Sequence, residues 1–362
     1  MQRIVVDCDT IPDARLERAP DPAALAEGEV LLRIESFALT VNNVTYAASG
    51  RALKYWDFFP LPAAAAAQDG PARGIVPVWG TAHVAQSRSA HLPEGTRVYG
   101  FLPMADSLVI RPEARAPGVV LDASPHRAHL SPVYNSYSVV KGEPGPQDHL
   151  RALWQPLLAT SYLLSDWLQD QGCFEADQII IGSASSKTGL GLCHFLSEVP
   201  DRAWQIIGLT SAGNRDFVAG LGTCDRVLRY DQIADLDTVA SVYVDMAGHA
   251  GVKRRLHRHL HGVLRHSAAV GTSHWQDYAP PRDLPGPRPE FFFAPAQIEK
   301  RRQDWGAGRI ESEISSAWRR VAAASGAWLQ VHSHQGLESV PQLWSDLAAG
   351  RVAPHEGHVV LP

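Results

Sequence analysis

The 362-residue chain lacks paired cysteines, a strong charge of one sign and any long apolar run. Its cysteines Cys8, Cys173, Cys193 and Cys224 are far apart and form no CxxC pair, which argues against a disulfide framework and a cysteine-based structural zinc site. The 33 basic and 38 acidic residues give a net charge of −5, which argues against broad binding of nucleic acid or anionic membranes. Because no run of about 18 apolar residues and no signal-peptide pattern occur, we expect a cytoplasmic protein without membrane segments.

The length allows two domains, since domains usually hold about 100–200 residues. Residues 1–145 combine short strand patterns with frequent Gly and Pro, which is typical of a compact β domain. A helical stripe at 155–168 then introduces alternating strand and helix patterns, and this alternation predicts a parallel sheet with right-handed crossovers. The strands predicted in this second part are at 179–181, 204–209, 226–230, 241–245 and 267–270.

The most informative segment is the turn after the first of these strands, in the sequence QIIIGSASSKTGLGL. Three consecutive isoleucines predict a strand that is buried on both faces. Small residues in the turn let a diphosphate approach the backbone, and a helix beginning near Gly189 directs its unpaired N–H groups at that anion. The candidate cofactor contacts in the turn are Ser185, Ser186, Lys187, Thr188 and Gly189.

Two other interpretations of this turn stay open. A P-loop, and with it a phosphotransferase, needs a lysine six places after the first glycine, but Lys187 follows Gly182 by five. A tight strand–helix turn without any ligand is the second alternative. A Rossmann-type dinucleotide turn fits the surrounding strand–helix–strand pattern better, although the only glycines are Gly182, Gly189 and Gly191.

The end of the next predicted strand indicates which dinucleotide the turn binds. NAD-preferring sites carry an acidic residue there, about 20 residues beyond the glycines, whereas this chain has the segment LTSAGNR. Ser211, Asn214 and Arg215 are instead suited to hold a 2′-phosphate, Arg215 through charge-assisted hydrogen bonds. A solvated position at the start of a helix is the alternative for Arg215. The pattern favours NADP(H) over NAD(H).

Six segments resemble, in the same order, the medium-chain dehydrogenase/reductase superfamily on its zinc-independent quinone-reductase and enoyl-reductase side. They are EGEVLLRIESFALTVNNVTYAASG, LPEGTRVYGF, QPLLATSYLL, LGTCDRVLRYD, SVYVDMAG and LAAGRVAPHEGHVVLP. The resemblance implies an α/β protein in which a GroES-like β-rich domain is combined with a Rossmann domain that has a doubly wound parallel sheet. The bounds expected are 1–146 for the first part of the GroES-like domain, 147–294 for the Rossmann domain and 295–362 for the return to the GroES-like domain.

The same resemblance implies an NADP-dependent oxidoreductase that reduces an activated C=C or carbonyl of a small organic substrate, in a cleft at the junction of the two domains. No metal is expected, because the superfamily's catalytic-zinc cysteine and histidine have no counterpart near 36–43. Tyr230 matches a tyrosine that often packs near the 2′-phosphate, and Gly271 and Thr272 are further candidate cofactor contacts. Homodimers are common in the superfamily, although no segment of this chain identifies a dimer interface.

Two departures from the superfamily pattern support a different function. Ser186 stands where the nucleotide loop usually has glycine, and Asn214 stands where NADPH-dependent members often carry lysine. Lys187 and Arg215 are each one residue away and are able to substitute. The alternative is a dehydrogenase-like protein without hydride chemistry that acts as a binding or partner protein.

The candidate catalytic residues come from the β-rich part. Asn43 and Tyr46 follow the first β segment, where the related fold lines its cleft, so Tyr46 is placed to donate to a carbonyl and Asn43 to orient the substrate. Tyr134 precedes the second domain and is expected to line the same cleft. Aromatic residues at 56, 58, 59 and 291–293 are candidates for an aromatic wall, with core packing as the alternative.

A basic segment, KRRLHRHLHGVLRH, begins at Lys253. The spacing of its apolar residues predicts one helix whose basic residues lie on the opposite, solvated face. The apolar residues in i, i+4 register are Val252, Leu256, Leu260 and Leu264. His257 and His261 in this segment, like His332 and His334 further on, are spaced as metal ligands can be. Neither pair has an evident third ligand, so we predict no metal at either.

Overall fold

The computed structural model describes residues 1–22, 24–61, 72–271 and 284–362. The chain divides into two compact units. Unit 1 comprises Met1–Leu153 and Trp328–Pro362, and unit 2 comprises Trp154–Ala327. Unit 2 is therefore an insertion in the chain of unit 1, and it extends past residue 294, where the sequence suggested a boundary.

The helices and strands are numbered in chain order. The strands are β1 Gln2–Asp7, β2 Ala14–Arg18, β3 Val30–Leu39, β4 Arg73–Gly74, β5 Pro77–Ser87, β6 Arg97–Pro103, β7 Ser107–Ile110, β8 Pro112–Ala116, β9 Val119–Asp122, β10 Ser136–Val140, β11 Gln178–Gly182, β12 Gln205–Thr210, β13 Arg226–Arg229, β14 Ser241–Asp245, β15 Leu264–Ala269, β16 Glu290–Phe291, β17 Gln330–Gln335 and β18 Glu356–Leu361. The helices are α1 Val41–Ala48, α2 Pro132–Asn135, α3 Pro146–Asp170, α4 Lys187–Ser197, α5 Arg215–Gly220, α6 Ala250–His259, α7 Ala294–Trp305, α8 Arg309–Ser325 and α9 Val340–Ala348. Of the helices in the described ranges, none has the length and apolar character needed to cross a membrane.

Unit 1 contains two sheets. A three-stranded sheet has the order β2-β1-β4, and a nine-stranded sheet has the order β17-β18-β3-β5-β6-β10-β9-β8, with β7 also paired to β3. Strand β18 pairs antiparallel with β3, with His358 opposite Leu39. The central sheet of unit 1 is thus assembled from segments that lie before and after unit 2 in the chain.

Unit 2 contains a six-stranded sheet in the order β13-β12-β11-β14-β15-β16, and every pairing in it is parallel. This order is that of a doubly wound sheet, in which the strand order reverses beside the first strand and ligands bind at the carboxyl ends. The isoleucines 179–181 of β11 are completely buried. The predicted α/β class, a β-rich part combined with a doubly wound parallel sheet, is confirmed.

The basic segment corrects two predictions. The helix α6 ends at His259 and Leu264 belongs to β15, because Gly262 takes a left-handed backbone conformation with φ of 88° that ends the helical run. The basic residues are not all on a solvated face. The Lys253 Nζ lies 2.8 Å from the buried Asp245 Oδ2, and the buried His257 contacts the Ser267 Oγ at 2.9 Å.

Candidate functional site

The predicted nucleotide turn lies at the carboxyl edge of the unit 2 sheet, between β11 and α4. The helix begins at Lys187, two residues earlier than expected, because Ser186 is its N-cap and the Ser186 Oγ accepts the Gly189 N–H at 3.1 Å. Residues 185–188 are half-buried, so they are partly open to solvent. The remaining first-turn N–H groups lie at the positive end of the helix dipole.

Two glycines of the turn are required by close packing. A Cβ atom on Gly182 would lie 2.6 Å from the Tyr243 hydroxyl, and one on Gly189 would lie 2.6 Å from the Ser183 carbonyl oxygen. Ser183 itself has a left-handed backbone with φ of 55°. The imperfect glycine pattern therefore still yields a tight strand–turn–helix corner, in which Ser186 is the N-cap of α4.

A hydrogen-bond network joins this turn to the end of the neighbouring strand. The Ser185 Oγ contacts the Thr210 Oγ1 at 2.9 Å and accepts from the Asn214 Nδ2 at 3.2 Å. Ser211 is exposed beside them. The structure therefore brings Ser185, Asn214 and Ser211 together, with the Asn214 amide directed at the turn.

Two arginines line a surface pocket of about 340 Å³ next to this network. Arg215 pairs with Asp216 at 2.8 Å and Arg229 pairs with Asp231 at 3.0 Å. These carboxylates are 92% and 69% exposed, and exposed pairs contribute only about 0–1 kcal/mol, so an anionic ligand can replace them. Arg229 was not among the predicted site residues, although it stands directly before Tyr230 at the end of β13.

Two other predicted cofactor residues, Tyr230 and Gly271, lie at the same edge. Tyr230 follows β13 and forms a hydrogen bond with Ser183, while burial raises the pKa of its phenol. Gly271 follows β15, and its N–H points to the Asp245 carbonyl oxygen at 3.4 Å. Thr272 lies outside the described residues. The cofactor roles of all these residues stay predictions; of the described ones, Tyr230 and Gly271 lie at the carboxyl edge of the unit 2 sheet.

Unit 1 contains a compact group of aromatic side chains, which we call the tyrosine cluster: Tyr46, Tyr55, Phe58, Trp79, Phe101 and Tyr134. Ring centroids are 4.4 Å apart for Tyr46 and Tyr55, and 4.7 Å apart for Phe101 and Tyr134. The edge of Phe58 contacts Phe101 at a centroid distance of 5.1 Å. Two predicted catalytic residues, Tyr46 and Tyr134, thus lie in one cluster, with Tyr55 between them unanticipated.

The hydroxyl groups of the tyrosine cluster are engaged with one another and with Trp79. The Trp79 Nε1 donates to the Tyr46 hydroxyl at 3.3 Å, and the Tyr55 and Tyr134 hydroxyls are 3.1 Å apart. Burial raises the pKa of all three phenols well above the ordinary value. They therefore stay protonated at neutral pH and act as neutral hydrogen-bonding groups.

Asn43 has structural contacts at both ends of its amide. Its Nδ2 donates to the Pro77 carbonyl oxygen at 3.0 Å, and its Oδ1 accepts from the Thr40 N–H at 2.8 Å. The side chain is buried and holds the first turn of α1 against β5. These contacts give Asn43 a structural role, and the orientation of a substrate by Asn43 stays a prediction.

The residues of the predicted aromatic wall differ in their surroundings. Trp56 packs against Gly50 and Gly74, whereas Phe291 and Phe293 are 57% exposed.

Comparison with known proteins places the chain in a family. A family model described as "Protein of unknown function (DUF2855)" matches residues 37–353. The chain belongs to the DUF2855 family. No curated protein matches it.

This DUF2855 member is similar in structure to several oxidoreductases along its whole length. CurA from Vibrio vulnificus in complex with NADPH has a TM-score of 0.65 and 14% identity, with 100% of this chain and 99% of that chain covered. The quinone oxidoreductase from Coxiella burnetii has a TM-score of 0.55 and 13% identity, with coverage of 100% and 99%. The yhdH oxidoreductase from Salmonella enterica in complex with NADP has a TM-score of 0.53 and 12% identity, with 100% of both chains covered. The predicted fold, a GroES-like β-rich part plus a Rossmann part, is confirmed.

Proposed function

We propose that this protein is a zinc-independent, NADPH-dependent oxidoreductase that reduces an activated C=C or carbonyl of a small organic substrate. The observation that carries the proposal is the arginine-lined pocket at the carboxyl edge of the unit 2 sheet, next to the turn at 183–189. CurA and the yhdH oxidoreductase, which are similar in fold, are described in complex with NADPH and NADP.

The residues of the turn fit a dinucleotide diphosphate. The N–H groups of Lys187 and Thr188 occupy the first turn of α4, and an anion there is stabilised by these donors and by the helix dipole. Ser186 already occupies the Gly189 N–H, so this chain offers one fewer amide than a glycine-rich turn would. Arg215 and Arg229 supply the charge that a 2′-phosphate requires, through charge-assisted hydrogen bonds.

The chemistry of reduction needs groups from two sources. When bound, the nicotinamide supplies the hydride. The protein supplies neutral donors for the oxygen on which negative charge develops, and the phenols of the tyrosine cluster are such donors. Zinc independence rests on the sequence around 36–43, SFALTVNN, which offers neither cysteine nor histidine.

The first test compares NADPH with NADH in fluorescence titrations. We expect wild-type protein to bind NADPH more tightly, and R215A and R229A each to weaken NADPH binding about ten- to hundredfold while NADH binding changes little. Arg226→Ala serves as the matched control, because Arg226 is a partly exposed arginine at the opposite end of β13 that pairs with Asp237.

The alternatives give different results in the same experiment. Absence of saturable NADPH binding at millimolar concentration would reject the proposal, and Mg²⁺-dependent ATP binding that Lys187→Ala abolishes would indicate a phosphotransferase. The capped Gly189 N–H favours a second candidate, a binding or partner protein without hydride chemistry. That candidate predicts that no enone or quinone stimulates NADPH oxidation.

A further inference from the structure

Both arginines of the pocket in unit 2 are already paired with carboxylates of the protein itself. Arg215 is followed directly by Asp216, whose Oδ1 lies 2.8 Å from the Arg215 Nη1. Arg229 is followed two residues later by Asp231, which accepts from the Arg229 Nε at 3.0 Å and from its Nη2 at 3.3 Å. Each pair comes from one short segment of the chain, so the two positive charges are neutralised before any ligand binds.

The two carboxylates compete with an anion in different ways. Asp231 contacts two N–H groups along one edge of the Arg229 guanidinium, and such an edge is what a phosphate binds in bidentate fashion. Asp216 makes one contact with Arg215, but it is itself a lining residue of the pocket. One carboxylate therefore occupies the donors of an arginine, and the other adds a negative charge to the wall of the pocket.

The competition is weak enough for a ligand to overcome. The Asp216 and Asp231 side chains are 92% and 69% exposed, and an exposed pair reduces the affinity of a competing anion by at most about fivefold. A phosphate monoester carries a charge of about −1.5 to −2 at pH 7, more than a carboxylate does. The backbone of Arg229 is held separately, since its N–H donates to the Gln232 Oε1 at 3.2 Å, so Asp231 can turn into solvent without moving it.

Free and attached phosphates are affected unequally by these carboxylates. Inorganic phosphate has to displace them with the binding free energy of this pocket alone. The 2′-phosphate of NADPH belongs to a molecule whose diphosphate is held by the turn at 183–189, so its entry into the pocket is intramolecular, with an effective concentration on the order of millimolar. The carboxylates thus exclude the free anion and only reduce the affinity for the dinucleotide.

We propose that Asp216 and Asp231 are specificity-determining residues, which make the pocket accept a phosphate carried by a dinucleotide and reject free inorganic phosphate. This inference rests on the proposed function. The two aspartates act through Arg215 and Arg229, whose guanidinium groups exchange a carboxylate for the 2′-phosphate when NADPH binds. NADH has no phosphate at this position, so its binding leaves both pairs in place.

The test measures the NADPH Kd of the full-length protein by fluorescence titration, with and without about 10 mM inorganic phosphate. The ionic strength is held constant, because screening alone weakens contacts between charges. Without phosphate, we expect D216N/D231N to bind NADPH about tenfold more tightly than wild type, since two weak competitors are removed, while the NADH Kd changes less than about twofold. Phosphate should weaken NADPH binding about fivefold in D216N/D231N and less than about twofold in wild type.

Two controls separate this competition from a general effect of charge. Asp237→Asn breaks the pair of Arg226 and Asp237 at the opposite end of β13, where the carboxylate is 59% exposed, and it should leave the NADPH Kd and the response to phosphate unchanged. In protein that also carries R215A/R229A, the D216N/D231N change should alter the NADPH Kd less than about twofold, because the carboxylates then have no arginine to occupy.

Unchanged or weaker NADPH binding in D216N/D231N would overturn the inference, because the carboxylates would then have no effect on the arginines or would orient them for the ligand. Equal sensitivity of wild type and variant to phosphate would overturn it as well. In each of these cases the wild type still binds NADPH more tightly than NADH, so the proposed function is kept. If neither wild type nor D216N/D231N binds NADPH, the proposed function fails and the inference fails with it.

Discussion

Lys253 is a basic residue that the sequence pattern assigned to solvent and that the fold buries. Its side chain is 8% exposed and its partner Asp245 is 3% exposed, at the end of the strand that pairs with β11. The Asp245 Oδ1 also accepts the Ala247 and Gly248 N–H groups, so this carboxylate fixes the loop after β14. The charge of Asp245 therefore depends on Lys253 for compensation.

Substitution of Lys253 tests that dependence. We expect Lys253→Met to lower the free energy of unfolding by about 3–5 kcal/mol in urea denaturation, because it leaves a buried carboxylate without a counter-charge. Arg254→Met removes an exposed positive charge from the next position and should cost less than about 0.5 kcal/mol. Equal effects of the two variants would contradict the assigned role of the pair.

Some neighbours of the candidate site residues could be predicted from the sequence, and others could not. Asn214 and Arg215 follow a predicted strand of a parallel sheet, and this place in the sequence predicts that they lie at the carboxyl edge near the turn. Tyr55 and Tyr134 are 79 residues apart, and Arg229 gains meaning only from a pocket shared with Arg215. The periodicity of a sequence reports local structure and carries no information on contacts between distant segments. These contacts are therefore visible only in the structure.

The start of α4 connects helix stability with cofactor binding. Ser186→Ala should lower the free energy of unfolding by about 1 kcal/mol and Ser186→Gly by only a few tenths, since glycine is a tolerable N-cap. Ser186→Gly also frees the Gly189 N–H. If the turn holds a diphosphate, NADPH should bind about fivefold more tightly to S186G, the worth of about one hydrogen bond.

The control for this comparison lies at the other end of the same helix. Ser197→Gly changes a serine whose hydroxyl donates to the His194 carbonyl oxygen, far along α4 from the turn. It should leave the NADPH Kd unchanged in the same titration. Weaker binding in S186G than in wild type would show that the Ser186 hydroxyl contacts the ligand instead of competing with it.

Helices and strands with a clear period were predicted well, but the starts of α3 and α7, which have proline in their first turn, were not. The apolar stripe at 155–168 identified α3, but the helix begins at Pro146, within a segment that looks like a turn. Proline is tolerated in the first turn of a helix, where its missing N–H has no partner in any case. The helix α7 also has proline near its start and was missed for the same reason.

Several histidines of both units make the stability of the protein depend on pH. Burial lowers the pKa of His257 and His266 in unit 2 and of His126 in unit 1. Their pKa values in the folded protein lie below the unfolded value of about 6.5, so the unfolded chain binds more protons. Their contribution to stability is complete above about pH 6.5 and is lost as the pH falls through the lower folded values.

Urea denaturation at several pH values checks this expectation. The free energy of unfolding should decrease steadily from pH 7 to pH 5, and His257→Gln should reduce that slope. His261→Gln alters an exposed histidine of the same segment and should leave the slope as it is. A free energy that rises toward pH 5 would contradict the assignment.

The architecture as a whole was the most predictable feature, because the order of six motifs and the alternation of strands and helices act over long stretches. The boundary between the two units was less predictable from the sequence. The helices α7 and α8 belong to unit 2, and the chain returns to unit 1 only at Trp328. Amphipathic helices fit either kind of domain, so their pattern does not show which core they cover.

The pairing of β18 with β3 has a consequence for synthesis on the ribosome. The edge of β3 that β18 covers is made early, and its partner leaves the exit tunnel only after all of unit 2 has been translated. A contiguous βα segment can fold as it emerges, whereas the interrupted nine-stranded sheet of unit 1 must wait with an open strand edge, which can pair with other chains. Nascent chains stalled before residue 356 should therefore be the species that recruit chaperones.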